Sequence, residues 1–382
     1  MSNQKREEQF SKVFSRYGNR IVTQDDNYLN QFRATCQETL AKYTDLDIYF
    51  DIIDNSRVNA VATKYEGSYF IAISKGTIKI FEYYARKFSA NPNILSDFGP
   101  SNQENNVIKL QNSIIIKDEI YIIEEDPPVS PITKERRTLA ELIFSQSILN
   151  IIFHELGHIV NGHIDFLESS KIHYLEEVQT ESNKLTSILS LHRQTLEIDA
   201  DAFSAIETLR EMLAIFDSKE DKFKEILPNY RSVFKLWSFV RQMCWRIMEN
   251  NYIGKGLLEI THPPTSLRSQ YTRIANLDLV KGRGGSSLLD DFETSYTLGV
   301  SQADNAFRII SEMDTIPPVL SKELSNYHFH HGALIFCHWD FIREDLLPLA
   351  SYSLRDPNIR DDQYNEILKG YKQVISRLNL QT

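Results

Sequence analysis

Hydrophobic residues cluster in three short runs near the start of the chain, at 47–53, 58–63 and 69–74. These runs are rich in Ile, Val, Phe and Tyr, and the turn residues Asp-Asn-Ser and Glu-Gly-Ser separate them, which indicates β-strands. Because the connections are short, the pattern predicts antiparallel pairing. A helix is predicted to follow over 77–88, and two Ile-rich runs within 114–123 predict a hairpin.

Longer stretches of the chain have the composition and periodicity of helices. The first is predicted to begin at Thr138, where Thr-Leu-Ala-Glu has the form of a capping box before an apolar run, and to extend to about residue 163. Two more are predicted over 196–216 and 230–250, where large apolar residues recur among charged ones.

These elements divide the chain into three predicted parts. Residues 1–45 form a polar N-terminal helical arm, and 46–275 form the core, with insertions at 89–137 and 164–193. Residues 276–382 form a helical C-terminal region whose role the sequence does not indicate. We therefore expect an α+β fold that is mostly helical, with a small antiparallel sheet.

Composition and charge narrow the function classes. The 382 residues are 42% hydrophobic, so the chain is long and apolar enough to form a core. The formal net charge of −10, with no dense basic patch, argues against nucleic acid as a partner. The most apolar stretch, 142–160, includes His, Glu, Asn and Gln, which predicts a buried helix and no transmembrane segment.

The cysteines and the N-terminus predict a cytoplasmic protein. The three cysteines are scattered and odd in number, so we expect a reducing compartment and no disulfide framework. The charged N-terminus is not followed by the apolar run of a signal peptide. Since no Cys-x-x-Cys pair exists, any metal site would have to use histidines and carboxylates.

The motif His-Glu-Leu-Gly-His at 154–158 lies within this apolar helix. His154 and His158 are one helical turn apart and share a face, so both imidazoles can bind one zinc ion. Glu155 lies beside that metal, where it can take a proton from a zinc-activated water. The alternative is a buried amphipathic helix that carries two histidines by chance.

A catalytic zinc site needs a third protein ligand. Glu197 and Asp201 are four residues apart in the 196–216 helix and share a face. We assign Glu197 as the third ligand and Asp201 as the acceptor of a hydrogen bond from a ligand imidazole, with Asp199 as the runner-up ligand. The alternative for such an acidic pair is a solvated surface, but its apolar neighbours favour burial, where a carboxylate needs a partner or a metal.

The remaining histidines carry weaker signals. His262 begins a His-Pro-Pro sequence, which alone indicates a turn before a helix. His163 lies off the ligand face of the helix and is expected to be structural or at the rim of the site. The cluster of His328, His330 and His331 is expected to be ordinary packing or surface, with a second metal site as the alternative.

Taken in order, these motifs resemble those of the CAAX prenyl protease / HtpX-like gluzincin metallopeptidases. The resemblance rests on HELGH at 154–158, on the Glu197-x-x-x-Asp201-Ala-Phe sequence, and on His-Pro-Pro at 262–264 followed by Arg268. Upstream, Val-Asn-Ala-Val-Ala-Thr and the strand and helix entry after it are similar to that family's Asn-Ala-x-Ala strand. The similarity covers about residues 46–275, and a weaker one links the chain to the Lit-type phage-exclusion peptidases, which are cytosolic.

The gluzincin resemblance implies a zincin-like core with a defined set of functional residues. It implies one zinc ion per chain, held by His154, His158 and Glu197. It also implies that Glu155 is the general base and acid, and that His262 lies near the oxyanion.

Further residues take supporting roles in this comparison. Asp201 and Arg268 are expected to stand directly behind the ligands. The strand that contains Asn59 and Ala60 is expected to pair with an extended substrate, because an exposed strand edge offers unpaired backbone groups to a peptide.

The sequence therefore predicts a zinc-dependent endopeptidase that acts on a protein or peptide. We expect it to be regulated or latent, with an activating partner that the sequence does not identify and a role such as phage defence or protein quality control. One alternative is a catalytically inactive, zinc-stabilised binding or regulatory module, although such a module needs no base at Glu155. Another is a helical interaction protein without a metal.

Overall fold

The computed structural model describes residues 3–21, 27–104, 130–169, 187–248, 262–311 and 322–354, together with the short strands 114–117, 119–122 and 175–176. Helices dominate these ranges and accompany a small sheet, so the predicted α+β class with a helical C-terminal region is confirmed. The side chains of His328 and His330, where a second metal site was the alternative to ordinary packing, and much of the insertion at 164–193 lie outside the described residues.

The helices in the described ranges are α1 (Asn3–Phe14), α2 (Asn27–Tyr43), α3 (Lys75–Ala90), α4 (Lys134–Val160), α5 (His163–Ser169), α6 (Ser187–Ser218), α7 (Asp221–Lys224), α8 (Tyr230–Met248), α9 (Thr265–Ala275), α10 (Leu277–Ser311) and α11 (Lys322–Leu346). The strands are β1 (Asn19–Arg20), β2 (Ile48–Asp54), β3 (Ala60–Tyr65), β4 (Ser68–Ser74), β5 (Ile114–Lys117), β6 (Glu119–Ile122) and β7 (Leu175–Glu176). Helix α10 is interrupted by non-helical backbone at Gly284 and Gly285.

The sheet is mixed, so the predicted all-antiparallel arrangement is wrong. The strand order is β1-β2-β4-β3-β7, and β2 runs parallel to β4 while the other pairs are antiparallel. A tight turn at Glu66 and Gly67, both with positive φ, joins β3 to β4 as a hairpin. The connection over 55–59 is long enough to cross two strand spacings, about 10 Å, which leaves room for β4 between β2 and β3.

Both faces of the sheet are covered, because side chains alternate between two cores. Ile71 and Ile73 of β4 belong to the main core, with α3 and α4. Phe70 and Ala72 of the same strand face a second cluster that α1 completes with Phe10 and other aromatic residues. Helix α1 of the predicted N-terminal arm therefore covers the second face of the sheet, whereas α2 packs into the main core.

Helix α4 begins four residues earlier than the capping box at Thr138 predicts. The side chain of Thr133 accepts a hydrogen bond from the backbone N–H of Arg136 at 3.3 Å, and Glu104 in turn accepts from the backbone N–H of Thr133 at 2.9 Å. The first turn is polar, so it carries no apolar periodicity that a sequence pattern could detect. The Thr138 hydroxyl instead donates to the carbonyl of Lys134 within the helix.

The other predicted elements are present with shifted ends. The helix predicted over 77–88 is α3, whose first turn is capped by Ser74, and the hairpin predicted within 114–123 is the β5–β6 pair. The helix predicted over 196–216 is α6, which begins at Ser187. The helix predicted over 230–250 is α8.

Helix α4 is the central element of the described fold. It packs against α3, α6, α8 and β3, and its residues share one hydrophobic core with residues of α8, α10 and α11. Lys134–Val160 is also long and apolar enough to cross a membrane, but 78% of its most apolar window is buried in the structure. A buried core helix can have the same length and apolar composition as a membrane span, so these two properties are weak support for a membrane segment.

Candidate metal centre

Helices α4 and α6 approach each other closely at the HELGH motif. A Cβ atom added at Gly157 would lie 3.2 Å from the Cα atom of Ala200 and 3.3 Å from the Cβ atom of Phe203, which is tighter than ordinary contact. Glycine therefore allows the two backbones to approach. This approach brings the histidines of α4 to Glu197 of α6.

The predicted ligands meet in one buried cluster. The Nε2 atoms of His154 and His158 are 3.0 Å apart. Glu197 places Oε2 3.1 Å from Nε2 of His154 and Oε1 3.5 Å from Nε2 of His158. The three ligand atoms lie within 4.8 Å of one another, and each residue is at most 3% exposed. This His-His-Glu group could hold a metal ion.

Hydrogen bonds outside the cluster indicate that it suits a cation. Nδ1 of His154 lies 3.0 Å from Oδ1 of Asp201. A carboxylate can only accept, so Nδ1 carries the proton and the lone pair of Nε2 faces the centre. Oε2 of Glu197 is buried and has no hydrogen-bond donor among the described residues. Nitrogen lone pairs and a carboxylate oxygen directed at one point form a donor set that fits zinc.

Asp201 is held as a buried anion by two neighbours. Arg268 donates to both of its carboxylate oxygens, from Nε at 2.6 Å and from Nη2 at 2.7 Å. Burial favours the neutral acid, but the charge and hydrogen bonds of Arg268, together with the bond from His154, lower the pKa of Asp201 to about 2. The structure thus places both predicted supporting residues directly behind a candidate ligand.

A second buried arginine ties the helices of the site together. Arg241 of α8 donates to the backbone carbonyl of Asp201 at 3.2 Å and to the side-chain oxygen of Asn150 on α4. Ser204 of α6 also donates to the backbone carbonyl of Asn150 at 2.7 Å. Burial lowers the pKa of Arg241 to about 10, which leaves it a cation at neutral pH. These bonds fix the spacing of α4, α6 and α8 around the candidate ligands.

The two predicted catalytic residues lie in or beside the cluster. Glu155 follows the first ligand in α4 and is only 1% exposed. His262 is 3% exposed and places Nε2 3.5 Å from Oε2 of Glu197. The location of His262 next to the ligand set therefore matches the expectation, while its role and that of Glu155 remain predictions.

The edge of β3 differs from the expected open substrate edge. β7 pairs antiparallel with β3 at Val61 and Ala62, so this part of the edge is already occupied. Asn59 and Ala60 are buried, and the backbone carbonyl of Asn59 accepts a 3.0 Å hydrogen bond from the N–H of Ser74 at the start of α3. Sequence reasoning could not foresee this, because β7 belongs to a distant segment with no strand pattern of its own.

Sequence reasoning missed a group of polar residues behind the second histidine. Nδ1 of His158 lies 3.0 Å from Nδ1 of His163, and Nε2 of His163 lies 3.1 Å from Oδ2 of Asp199. Asn161 donates to the same oxygen at 2.6 Å. His163 is not among the candidate ligands, as expected, but its direct contact with His158 was not foreseen, because the prediction extended α4 to about residue 163. The Asn161-Gly162 sequence was the available signal for an earlier helix end.

Of the histidines of α11, His331 and His338 have described side chains, and neither belongs to a candidate metal-binding group of described residues. His331 bonds to Gln194 at 2.5 Å, and His338 bonds to His192 at 2.8 Å, so both connect α11 to α6. Among the residues that the structure describes, His154, His158 and Glu197 form the one group of three or more His, Cys, Asp or Glu side chains that could hold a metal ion.

Comparison with protein-family models, with curated proteins and with solved structures finds no match for this chain. The functional interpretation therefore depends on the geometry of the site.

Proposed function

We propose that this protein is a zinc-dependent endopeptidase. The observation that carries the proposal is the convergence of His154, His158 and Glu197 at one buried point, with Glu155 next to the first histidine in the same helix. A His-His-Glu set is one of the ligand sets of catalytic zinc sites, and a structural site would need no adjacent carboxylate. Zinc is the proposed metal, because nitrogen and oxygen ligands suit it.

Each residue of the site has its own proposed role in hydrolysis. When bound, zinc makes water more acidic and polarises the carbonyl of the scissile peptide bond. Glu155 takes the proton from the attacking water and gives it to the leaving amine. His262, which lies beside Glu197, donates a hydrogen bond to the developing oxyanion. Arg268 and Asp201 keep His154 in the tautomer that offers Nε2 to the metal.

The proposed substrate is an extended segment of a protein or peptide that pairs with β3. Pairing with a strand edge would satisfy the backbone groups of the substrate and position it along α4, which packs against β3. At Val61 and Ala62 the substrate would have to take the place of β7. That competition supports the further proposal that the enzyme is latent, as a cytoplasmic peptidase with a role in phage defence or quality control would need to be.

A second candidate function is a zinc-stabilised regulatory module without turnover. Structural zinc sites usually close the fourth position with another protein ligand. His262 is the observation that favours this candidate, because it is buried and lies 3.5 Å from Glu197. In the peptidase Glu155 would be needed for hydrolysis, whereas in the regulatory module it would contribute only to packing.

Metal content and hydrolysis test the proposal together. We expect about one zinc per chain in the wild type by elemental analysis, and loss of most of it in Glu197→Ala, because one of three ligands is removed. Glu155→Gln should retain the zinc but slow hydrolysis of an unfolded protein such as casein by about 10²- to 10⁴-fold, because the general base is lost.

Zinc content and hydrolysis together distinguish between the candidate functions. Hydrolysis by Glu155→Gln at the wild-type rate would contradict the mechanism. Full zinc with no cleavage of any protein, measured by comparing the peptide termini of a cell extract treated with wild type and with Glu155→Gln, would exclude a constitutively active peptidase and agree with either the regulatory module or a peptidase that stays latent without its partner. A wild type without zinc after reconstitution would exclude both candidates.

A further inference from the structure

We infer that His163 is a positioning residue that fixes the tautomer and orientation of the metal ligand His158, and that Asp199 holds His163 for this task. The inference rests on the metal site of the proposed function and assigns the means by which its second histidine is prepared for the metal. It concerns a pair of side chains that the HELGH and Glu-x-x-x-Asp motifs do not include.

Asp199 is the carboxylate at one end of a chain of hydrogen bonds that leads through His163 to His158. Its Oδ2 atom lies 3.1 Å from Nε2 of His163 and accepts a 2.6 Å hydrogen bond from the side-chain amide of Asn161. A carboxylate has no proton to give, so Nε2 of His163 must be the donor. In a neutral imidazole the other nitrogen, Nδ1, is then an acceptor.

That assignment determines the state of His158. Nδ1 of His163 lies 3.0 Å from Nδ1 of His158, so the proton between them belongs to His158. The lone pair of His158 is therefore on Nε2, which faces Nε2 of His154 and the carboxylate of Glu197. The direction of each hydrogen bond in the chain follows from the one before it.

Burial makes this arrangement specific. His163 is fully buried and Asp199 is 8% exposed, so water competes little for these hydrogen bonds. The two candidate ligands differ in their support: Asp201 contacts His154 directly, whereas the ring of His163 lies between Asp199 and His158. The imidazole of His154 is therefore polarised strongly by the adjacent anion of Asp201, and the imidazole of His158 is polarised through the ring of His163.

The backbone after α4 brings His163 into position. The helix ends at Val160, and Gly162 has a φ of +78°, a left-handed conformation that ends the helix and turns the chain back. A Cβ atom at Gly162 would lie 2.8 Å from the backbone carbon of Leu349, so a larger residue does not fit. The turn therefore places a residue five positions after His158 against the side of its ring.

The test compares zinc affinity across substitutions at His163, measured by competition with a chromogenic chelator. His163→Phe removes the acceptor and should weaken zinc binding by about 10- to 100-fold. His163→Gln should restore most of the affinity, since its side-chain oxygen can accept from His158 while its NH₂ group donates to Asp199. The absorption spectrum of the cobalt-substituted protein should differ from wild type in the Phe variant and return toward it in the Gln variant.

His338→Phe is the matched control, because His338 is an equally buried histidine that bonds to His192 instead. Its zinc affinity should equal that of the wild type. The inference is overturned if His163→Phe binds zinc as tightly as the wild type, if the Gln variant is no better than the Phe variant, or if the control loses as much affinity.

A second substitution keeps the test decisive if His163→Phe does not fold. Asp199→Ala leaves His163 in place and removes the acceptor that His163 shares with Asn161, so several-fold weaker zinc binding is expected and unchanged affinity overturns the inference. A wild type that binds no zinc defeats the proposed function itself, whereas a zinc-binding wild type with insensitive variants defeats only the role of His163.

Discussion

At the scale of single residues, the site depends on how buried charges are balanced. Asp201 is an anion shared between a metal-ligand imidazole and Arg268, and both of its oxygens are engaged. An isolated charge at such a position would be costly, because the interior cannot solvate it. The arginine therefore stabilises the fold as well as the ligand.

Arg268→Met should leave Asp201 with too little compensation. We expect the free energy of unfolding of the zinc-free protein to fall by about 3–5 kcal/mol in urea denaturation, the usual cost of removing one partner of a buried pair. Arg273→Met is the control on the same helix, since the ion pair of Arg273 with Glu293 is 35% exposed and should contribute at most about 1 kcal/mol. Equal losses in both variants would contradict the prediction.

The ligand residues were predictable from sequence, and the polar group behind His158 was not. His154 and His158 are one turn apart in the same helix, so local geometry predicts that they share a face. Glu197 lies in another helix and was assigned from its four-residue spacing to Asp201 and from its apolar neighbours. His163 reaches His158 only because the backbone reverses at Gly162, a change of direction that a helical period does not express. Asp199 was considered only as the runner-up ligand, and its contact with His163 was not expected for the same reason.

At the scale of elements, the separation of α4 and α6 controls the geometry of the site. The two helices are in close contact at Gly157, where Ala200 and Phe203 leave little space for a side chain. The three candidate ligands are distributed over both helices, so any change of the distance between α4 and α6 moves Glu197 relative to the histidines.

Gly157→Ala should therefore weaken zinc binding although alanine favours helices. Overpacking at this contact is expected to cost about 1–3 kcal/mol, against a gain of about 1 kcal/mol from helix propensity. Gly282→Ala in α10 is the control, because an added Cβ there would have no atom within 4 Å, and it should stabilise the protein slightly. Thermal unfolding and zinc competition measure both effects; unchanged zinc affinity in Gly157→Ala would count against this account.

The elements themselves were predicted better than their arrangement. Each strand and helix has a local pattern, which is why the runs at 47–53, 58–63 and 69–74 and the helices α3, α6 and α8 were found. The order of strands depends on contacts between distant segments, which no local pattern carries. The parallel pairing of β2 with β4 and the addition of β7 are of this kind.

At the scale of the whole molecule, contacts between α6 and α11 join the candidate site to the C-terminal region. His338 of α11 is fully buried against His192 of α6, with Phe166 and Phe341 beside the pair. Burial, with a smaller contribution from His192, lowers the pKa of His338 to about 3.

This pair should make the protein less stable in mild acid. Between about pH 6.5 and pH 3 the unfolded chain binds a proton at His338 that the folded chain does not, so stability falls as the pH falls through this window, by at most about 1.4 kcal/mol per pH unit. Burial also lowers the pKa of His192, which acts in the same direction, while the nearby Asp345 opposes it. Urea unfolding at pH 7.5 and 5.5 should show a smaller pH dependence in His338→Leu than in the wild type. The same pH dependence in both would contradict the prediction.

The residues that contact the C-terminal end of α4 lie far from it along the chain, so they are synthesised much later than the helix itself. The backbone N–H groups of Ser351 and Tyr352 donate to the carbonyl of Val160, and Leu349 packs on the turn at Gly162. During synthesis on a ribosome, the metal-ligand helix leaves the exit tunnel long before these residues do. The nascent chain therefore carries its histidines and Glu197 well before the contacts that support them exist, and the proposed peptidase remains incomplete until residues 349–352 have been synthesised.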